Sequence, residues 1–218
     1  MSCMSKTNTI ITIGRQFGSG GKEIGQKLAE EFGIKCYDAE MLDRASKESG
    51  LCKEIFESHD EKPTNSFLYS LVMDTYSLGY SAGSFTDMPL NHKIFLAQFD
   101  AIKKIAEEGP CVLVGRCADY ALESYDNLLS VFIHADIESR TKRIARDFQL
   151  TDSKAKEMIL KTDKKRASYY NYYTNKKWGD ATSYHYCFCS SQLGIDGTVE
   201  AIKDVIRIRE QNMNARIW

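Results

Sequence analysis

The 218-residue chain lacks any apolar run of about 18 residues, the length that a membrane-spanning helix requires. It also lacks the apolar segment of a signal peptide, because residues 1–8 are polar. Its formal charge of −1 gives no general attraction to nucleic acid or to an anionic membrane. We therefore expect a cytoplasmic protein whose partners are small molecules, with no nucleic-acid or membrane partner.

Paired Cys-x-x-Cys spacing is also absent, although the chain has seven cysteines. In a cytoplasmic protein, an odd number of scattered cysteines is typical of free thiols. His185, Cys187 and Cys189 alternate with aromatic residues, so they would share one face of a strand. Because a zinc site needs a fourth ligand and usually a turn between ligands, we expect small thiols in the core and no metal ligands there.

A strand, a turn and a helix near the N-terminus form the pattern around which the rest of the chain is organised. The β-branched run 9–13 ends at Gly14, and Ile24, Leu28 and Phe32 later recur every four residues on one helix face. A glycine-rich turn lets backbone N–H groups converge at a helix N-terminus, where the helix dipole adds positive charge. The pattern predicts a phosphate-binding loop made of Gly18, Ser19, Gly20, Gly21 and Lys22.

This loop departs from the Walker pattern G-x-x-x-x-G-K-[ST] in its cation and its hydroxyl. Arg15 stands at the first glycine, Gly21 at the lysine, and Lys22 or Glu23 at the residue that holds magnesium. Lys22 is one residue late, but its flexible stem makes it the first candidate for the missing cation. Arg15 is the second candidate. A turn that needs glycine only for packing is the alternative to a phosphate site.

Strand and helix patterns alternate through the rest of the chain. Continuous apolar runs at 111–114 and 128–134 predict strands buried on both faces, and 184–189 predicts a last strand. A long helix is predicted at 91–108. Gly33 is placed to end the first helix, Asp136 to cap the helix after 128–134, and Thr198 to cap the last helix. This alternation predicts an α/β fold with a largely parallel sheet, flanked by helices, and a ligand at the carboxyl ends of the strands.

Four blocks of sequence resemble, in order, the cytidylate kinase-like branch of the nucleoside monophosphate kinases. The first is the loop at 14–25, since this branch typically carries Arg-x-aromatic-Gly-Ser-Gly-Gly in place of the standard loop. The second is 37–45, where Asp38 and Arg44 keep the six-residue spacing of the acceptor-nucleotide site. By resemblance, both residues belong to acceptor binding. A helix cap for Asp38 and a solvated position for Arg44 are the alternatives.

The third block, 114–119, corresponds to a Gly-Arg-Asp sequence at the end of a buried strand in the family. There the arginine grips the acceptor phosphate, and its planar fork suits bidentate binding of phosphate oxygens. The resemblance assigns this role to Arg116. Cys117 stands where the family has its aspartate, so Asp119 becomes the candidate for the sugar contact.

The fourth block comprises 135–143 and 163–166 and resembles the lid that closes over the donor phosphates. The resemblance implies that Arg140, Arg143 and Arg166 contact phosphate. Asp163 keeps the family's Asp-x-x-Arg spacing with Arg166, which puts both on one helical face, and by resemblance it binds substrate. A solvated basic helix is the alternative for this block.

The resemblance as a whole implies a single P-loop nucleoside monophosphate kinase-like domain over 1–218. It would carry an acceptor-side helical insertion at about 51–90 and a lid at about 140–182. The implied reaction is ATP-dependent phosphoryl transfer to CMP or dCMP, with ATP and Mg²⁺ as cofactors. Two alternatives stay open: a nucleotide-binding regulatory protein without kinase activity, and a kinase with a non-nucleotide acceptor.

Overall fold

A computed structural model describes residues 7–38 and 90–215. The strands are β1 (Ile10–Arg15), β2 (Lys35–Tyr37), β3 (Cys111–Val114), β4 (Leu128–His134) and β5 (Tyr186–Cys189). The helices are α1 (Gly21–Phe32), α2 (Leu90–Glu107), α3 (Ala118–Ala121), α4 (Ile137–Phe148), α5 (Asp152–Thr174) and α6 (Ser190–Ala215), with a 3-10 turn at Ala181–Ser183.

The five strands form one sheet in the order β2-β3-β1-β4-β5, and every neighbouring pair is parallel. In the centre, Ile13 of β1 is in register with Val114 of β3 and with Val131 of β4. The carboxyl ends of the strands therefore lie at one edge, where open parallel sheets bind their ligands. The predicted α/β fold with a parallel sheet flanked by helices is confirmed.

The sheet separates two hydrophobic layers, because successive side chains of a strand point to opposite faces. On one face, Ile13 and Val131 pack with Leu28 of α1 and Ile202 of α6. The opposite face is aromatic, and its core includes Phe132, Phe95 of α2, and Tyr169, Tyr170 and Tyr173 of α5. The carboxyl-terminal half of α5 is thus part of the main core.

Two helix ends follow the predicted capping chemistry. Gly33 ends α1 with φ 64°, a left-handed conformation that glycine adopts without strain. The side chain of Asp136 accepts a hydrogen bond of 2.7 Å from Ser139 N at the start of α4. This hydrogen bond is the main reason why the pKa of Asp136 falls to about 2. Asp136 is confirmed as the cap of α4.

The last helix differs from its sequence pattern, which predicts a start at Thr198. α6 begins earlier, at Ser190, and is interrupted by Gly194, whose φ is 69°. Thr198 lies inside the helix, and its hydroxyl donates a hydrogen bond of 2.6 Å to the Gly194 carbonyl. Thr198 therefore does not begin the helix, and its hydroxyl bonds to the residue at which α6 is interrupted.

Several sequence predictions fall wholly or partly outside the described residues. Arg44 lies there, and so does the insertion expected at about 51–90, apart from Leu90 at the start of α2. The expected lid region, 140–182, covers most of α4, all of α5 and the start of the 3-10 turn.

Within 7–38 and 90–215, no helix is both long and apolar enough to cross a membrane.

Candidate functional site

The turn between β1 and α1 lies at the carboxyl edge of the sheet. Gly18 and Gly20 have φ values of 80° and 81°, so both are in the left-handed region that glycine tolerates. Gly20 is the N-cap of α1, and no side chain makes a capping hydrogen bond there. The first N–H groups of α1 can therefore bind an anion, which is how helix N-termini bind phosphate in other proteins.

A close approach also requires glycine at the start of α1. A Cβ atom on Gly20 would overlap Ile195 Cδ1 and would lie 3.1 Å from Arg143 Nη1. A Cβ atom on Gly21 would lie 2.6 Å from the Cβ of Arg15. Gly20 is therefore covered by Arg143, and Gly21 by the stem of Arg15.

Hydrogen bonds from distant residues fix the path of the turn. Ser19 is buried, and its hydroxyl donates to the carbonyls of Gln16, at 2.9 Å, and Ile133, at 3.1 Å. The hydroxyl of Ser190 donates to the Ser19 carbonyl at 2.7 Å. The side-chain oxygen of Gln16 accepts a hydrogen bond of 3.1 Å from Ala135 N. The turn is thus tied to the ends of β4 and β5.

A cavity of about 500 Å³ opens beside the turn on the side of β4; we call it the donor cavity. Arg143 lies at its edge with a guanidinium nitrogen 2.5 Å from Glu23 Oε2, and its side chain is 26% exposed. The remaining walls come from the turn, α4 and the start of α6: Gly18, Ser19, Ala135, Ser139, Lys142, Arg146, Ser190, Ser191, Gly194 and Ile195.

A second, smaller cavity lies on the side of β3; we call it the arginine cavity. Three arginines line it, Arg15 from the end of β1, Arg116 after β3, and Arg166 from α5. The guanidinium of Arg15 crosses Gly115 so closely that a Cβ atom there would clash with it. The other walls are largely aromatic: Gly14, Cys117, Asp119, Tyr169, Tyr170, Trp178 and Tyr184.

The backbone after β3 is strained where it enters this cavity. Arg116 and Cys117 have φ values of 59° and 54°, a region that non-glycine residues enter at a cost of about 1–2 kcal/mol each. Gly115 precedes them with φ 85°. Such strain is common at functional sites, and here it turns the chain sharply between β3 and α3.

Asp119 lies at the back of the arginine cavity. It is 8% exposed and accepts a hydrogen bond of 2.7 Å from the hydroxyl of Tyr170. Burial is the largest influence on this carboxyl and raises the pKa of Asp119. The sugar contact expected of Asp119 stays a prediction, and the contact that the structure gives it joins α3 to α5.

Four charged residues that the sequence assigned to the site line neither cavity: Lys22, Asp38, Arg140 and Asp163. Lys22 Nζ lies 3.1 Å from Asp38 Oδ2, and the Lys22 side chain is 61% exposed. Arg140 is buried beneath the turn and Asp163 is half-buried there, with an Arg140 nitrogen 2.5 Å from a carboxylate oxygen of Asp163. Asp163 and Arg166 do share a helix face. Asp163 bonds to Phe17 of the turn, and Arg166 bonds to Arg15 at the end of β1.

The structure adds residues that the sequence did not indicate for the site. Ser190 and Ser191 line the donor cavity, and Tyr170 lines the arginine cavity. The two serines directly follow β5, so the rule that ligands bind at the carboxyl ends of parallel strands was the available signal. Tyr170 had no such signal, because one tyrosine in a tyrosine-rich helix is indistinguishable from a core residue.

The carboxylates beside the turn fit a magnesium ion that is held mainly by a nucleotide. Magnesium usually keeps several waters and takes one or two protein carboxylates plus phosphate oxygens. Glu23 and Asp38 flank the first turn of α1, and each is engaged by a cation, Arg143 and Lys22 respectively. In the described part of the chain, no three His, Cys, Asp or Glu side chains form a group that could hold a metal ion.

The parallel sheet and the glycine-rich turn at its centre define the fold of the P-loop kinases. A shikimate kinase structure from Bacteroides thetaiotaomicron has this fold, with a TM-score of 0.54 and 14% identity, over 91% of this chain and 98% of that one. An uncharacterized protein from Eubacterium ventriosum ATCC 27560 is more similar, with a TM-score of 0.69 and 30% identity over 91% and 98%. No curated protein matches the sequence.

The family follows from the sequence match to its model. The model of the cytidylate kinase-like family matches residues 10–192, a range that includes all five strands and the turn between β1 and α1. The chain belongs to this family, and the resemblance inferred from the four sequence blocks is confirmed.

The contacts of Gly20 give a test of the turn geometry. Gly20→Ala should destabilise the protein and weaken ADP binding, because the new Cβ would overlap Ile195. Gly33→Ala is the matched control, since Gly33 is also left-handed (φ 64°, ψ 32°) but lies at the other end of α1 and lines neither cavity. Both variants carry the backbone strain of about 1–2 kcal/mol, and only Gly20→Ala adds the overlap beside the cavity. Denaturant unfolding and ADP calorimetry measure both effects, and equal losses in the two variants would contradict the geometry.

Proposed function

We propose that this protein transfers the γ-phosphoryl group of ATP to a nucleoside monophosphate, with CMP or dCMP as the acceptor. One observation carries the proposal: the glycine turn lies between a nucleotide-sized cavity and a cavity lined by three arginines. Phosphoryl transfer requires that the attacking and leaving oxygens lie in line and that the phosphate charge is neutralised. It requires little covalent chemistry from the protein. Membership of a kinase family supports the same conclusion.

The donor cavity suits the nucleoside part of ATP. Its volume of about 500 Å³ lies within the usual range for small-molecule sites, and the turn is one of its walls. A nucleoside seated there would extend its phosphates towards Gly18 and Gly20. Arg143 would meet these phosphates, because it already lies over Gly20.

The arginine cavity suits the acceptor phosphate. Guanidinium groups bind phosphate oxygens bidentately, and both Arg116, after β3, and Arg166, from α5, line the cavity. No general base is required, since the attacking phosphate oxygen is already anionic. The cavity measures about 30 Å³, which is far smaller than a nucleotide, so acceptor binding requires it to widen.

The missing Walker lysine is replaced, in this proposal, by Arg15 together with Arg143. Arg15 runs between Gly21 and Gly115, from the turn into the arginine cavity, and so spans the line from donor to acceptor. Lys22, the first candidate from the sequence, is engaged by Asp38 and largely exposed. Magnesium, when bound to ATP, would neutralise phosphate charge, with Asp38 or Glu23 as protein ligands.

The reaction itself is the first test. The protein, ATP and Mg²⁺ are incubated with CMP, dCMP, UMP, AMP or GMP in turn, and ADP release is measured. We expect release with CMP or dCMP well above the rate with ATP alone. Binding of ATP without turnover of any nucleoside monophosphate would contradict the proposal and favour the two alternatives, a kinase with a non-nucleotide acceptor or a regulatory nucleotide-binding protein.

The second test compares the two candidate cations. Arg15→Met should lower kcat about 100-fold or more under saturating ATP, as the loss of a transition-state contact does. Lys22→Met should change kcat much less, and Lys156→Met, an exposed lysine of α5, serves as the control for charge removal. Thermal unfolding checks that each variant is folded. A normal kcat for Arg15→Met with a large loss for Lys22→Met would reverse the assignment.

A further inference from the structure

We infer that Asp163 is a positioning residue for the phosphate-binding turn, acting through Phe17, and not a contact for the acceptor. This inference deepens the proposed function and rests on it for its kinetic part. The family resemblance assigned Asp163 to substrate binding. The contacts that Asp163 makes in the structure indicate a different role.

Asp163 and Arg140 hold both backbone groups of Phe17, the residue that precedes Gly18. Asp163 Oδ1 accepts a hydrogen bond of 2.7 Å from Phe17 N. Its other oxygen, Oδ2, lies 2.5 Å from Arg140 Nη1, which also donates to the Phe17 carbonyl at 3.3 Å. Arg140 Nε donates to the Ala135 carbonyl at 3.1 Å, which ties the pair to the end of β4.

The pair is buried enough for its partners to matter. The side chains of Arg140 and Asp163 are 8% and 14% exposed, so solvent would compensate poorly for a lost partner. If the turn moved away, Asp163 would lose a backbone donor and Arg140 a backbone acceptor, both under low solvent exposure. The ion pair and the turn conformation therefore stabilise each other. A substrate hydroxyl would have to compete with these buried bonds to reach Asp163.

The side chain of Phe17 strengthens the same connection. It packs against a small cluster of Ile144 from α4 with Ala155 and Ile159 from α5. The guanidinium of Arg166 lies 5.5 Å from the Phe17 ring centre and donates to the Arg15 carbonyl at 3.3 Å. Helices α4 and α5 thus contact the chain at Arg15 and Phe17, just before Gly18, the first glycine of the turn with a positive φ. Because of these contacts, a change in the packing of α4 and α5 should change the conformation of the phosphate-binding turn.

The test replaces Asp163 and measures donor and acceptor separately. Asp163→Asn should weaken ADP binding by about tenfold, because a less preorganised turn binds phosphate less well, and should raise KM for ATP with it. Asp163→Ala should be worse, since it also removes the acceptor for Phe17 N–H. KM for the nucleoside monophosphate should stay near its wild-type value. Asp204→Asn, which removes an exposed Asp–Arg pair of α6, is the matched control.

The outcomes separate this inference from the proposed function. If wild-type protein binds no ADP, the proposed function fails before Asp163 is considered. If wild type binds ADP and Asp163→Asn binds it equally well, the positioning role is overturned. A higher acceptor KM with unchanged ADP affinity would overturn it too and restore the role given by resemblance. A lower melting temperature with unchanged ADP affinity would show a role in stability alone.

A measurement on the unmodified protein covers the case in which the Asp163 variants do not fold. The Phe17 amide proton should exchange with solvent at least tenfold more slowly than an unprotected amide, because it is hydrogen-bonded to the half-buried carboxylate of Asp163. Hydrogen exchange followed by NMR reads this residue by residue. Exchange of the Phe17 amide at the rate of an unprotected amide would overturn the inference.

Discussion

The conformation of the turn from Gln16 to Gly20 depends on hydrogen bonds from residues far away in the sequence. Ser190 after β5, Ala135 after β4 and Asp163 on α5 each bond to a different residue of the turn. Glycine permits this conformation, but it does not select it, because glycine also populates many other conformations. The conformation of the turn, and with it the proposed phosphate site, therefore depends on the carboxyl edge of the sheet and on α5.

The strand order determines what surrounds the turn. β1 is the central strand, with β3 on one side and β4 on the other. The chain that leaves β3 supplies Arg116 and Asp119 to the arginine cavity, and the chain that leaves β4 supplies Ser139 and Arg143 to the donor cavity. The two cavities are adjacent because both open beside the end of one strand. In-line transfer between two bound phosphates needs such an arrangement.

The elements of the fold were predictable because their signals are local. The apolar runs of β3 and β4 lie within single strands, and the cap at Asp136 bonds to Ser139, three residues on. The resemblance also located Arg15, Arg116 and Arg166, which do line one cavity. These predictions needed only short stretches of sequence and the rule for parallel strands.

The partners of charged residues were not predictable in the same way. Arg140 and Asp163 are 23 positions apart, and each was expected to face a ligand until the structure paired them. Lys22 and Asp38 likewise meet only because β2 ends beside α1. The sequence shows that such residues carry charge, but only the fold decides whether a neighbour or a ligand neutralises it. Arg44 lies outside the described residues, and its acceptor role stays a prediction.

The most direct measurement is an NMR titration of uniformly ¹⁵N-labelled protein with ADP, following every backbone amide. If the glycine turn is the donor phosphate site, the largest shifts should be those of Gly18, Ser19, Gly20 and Gly21. Smaller shifts should follow around the donor cavity, at Ser190 and Gly194. Large shifts elsewhere, for example around His185 and Tyr186 at the opposite edge of the sheet, with an unchanged turn, would contradict a phosphate site at the start of α1.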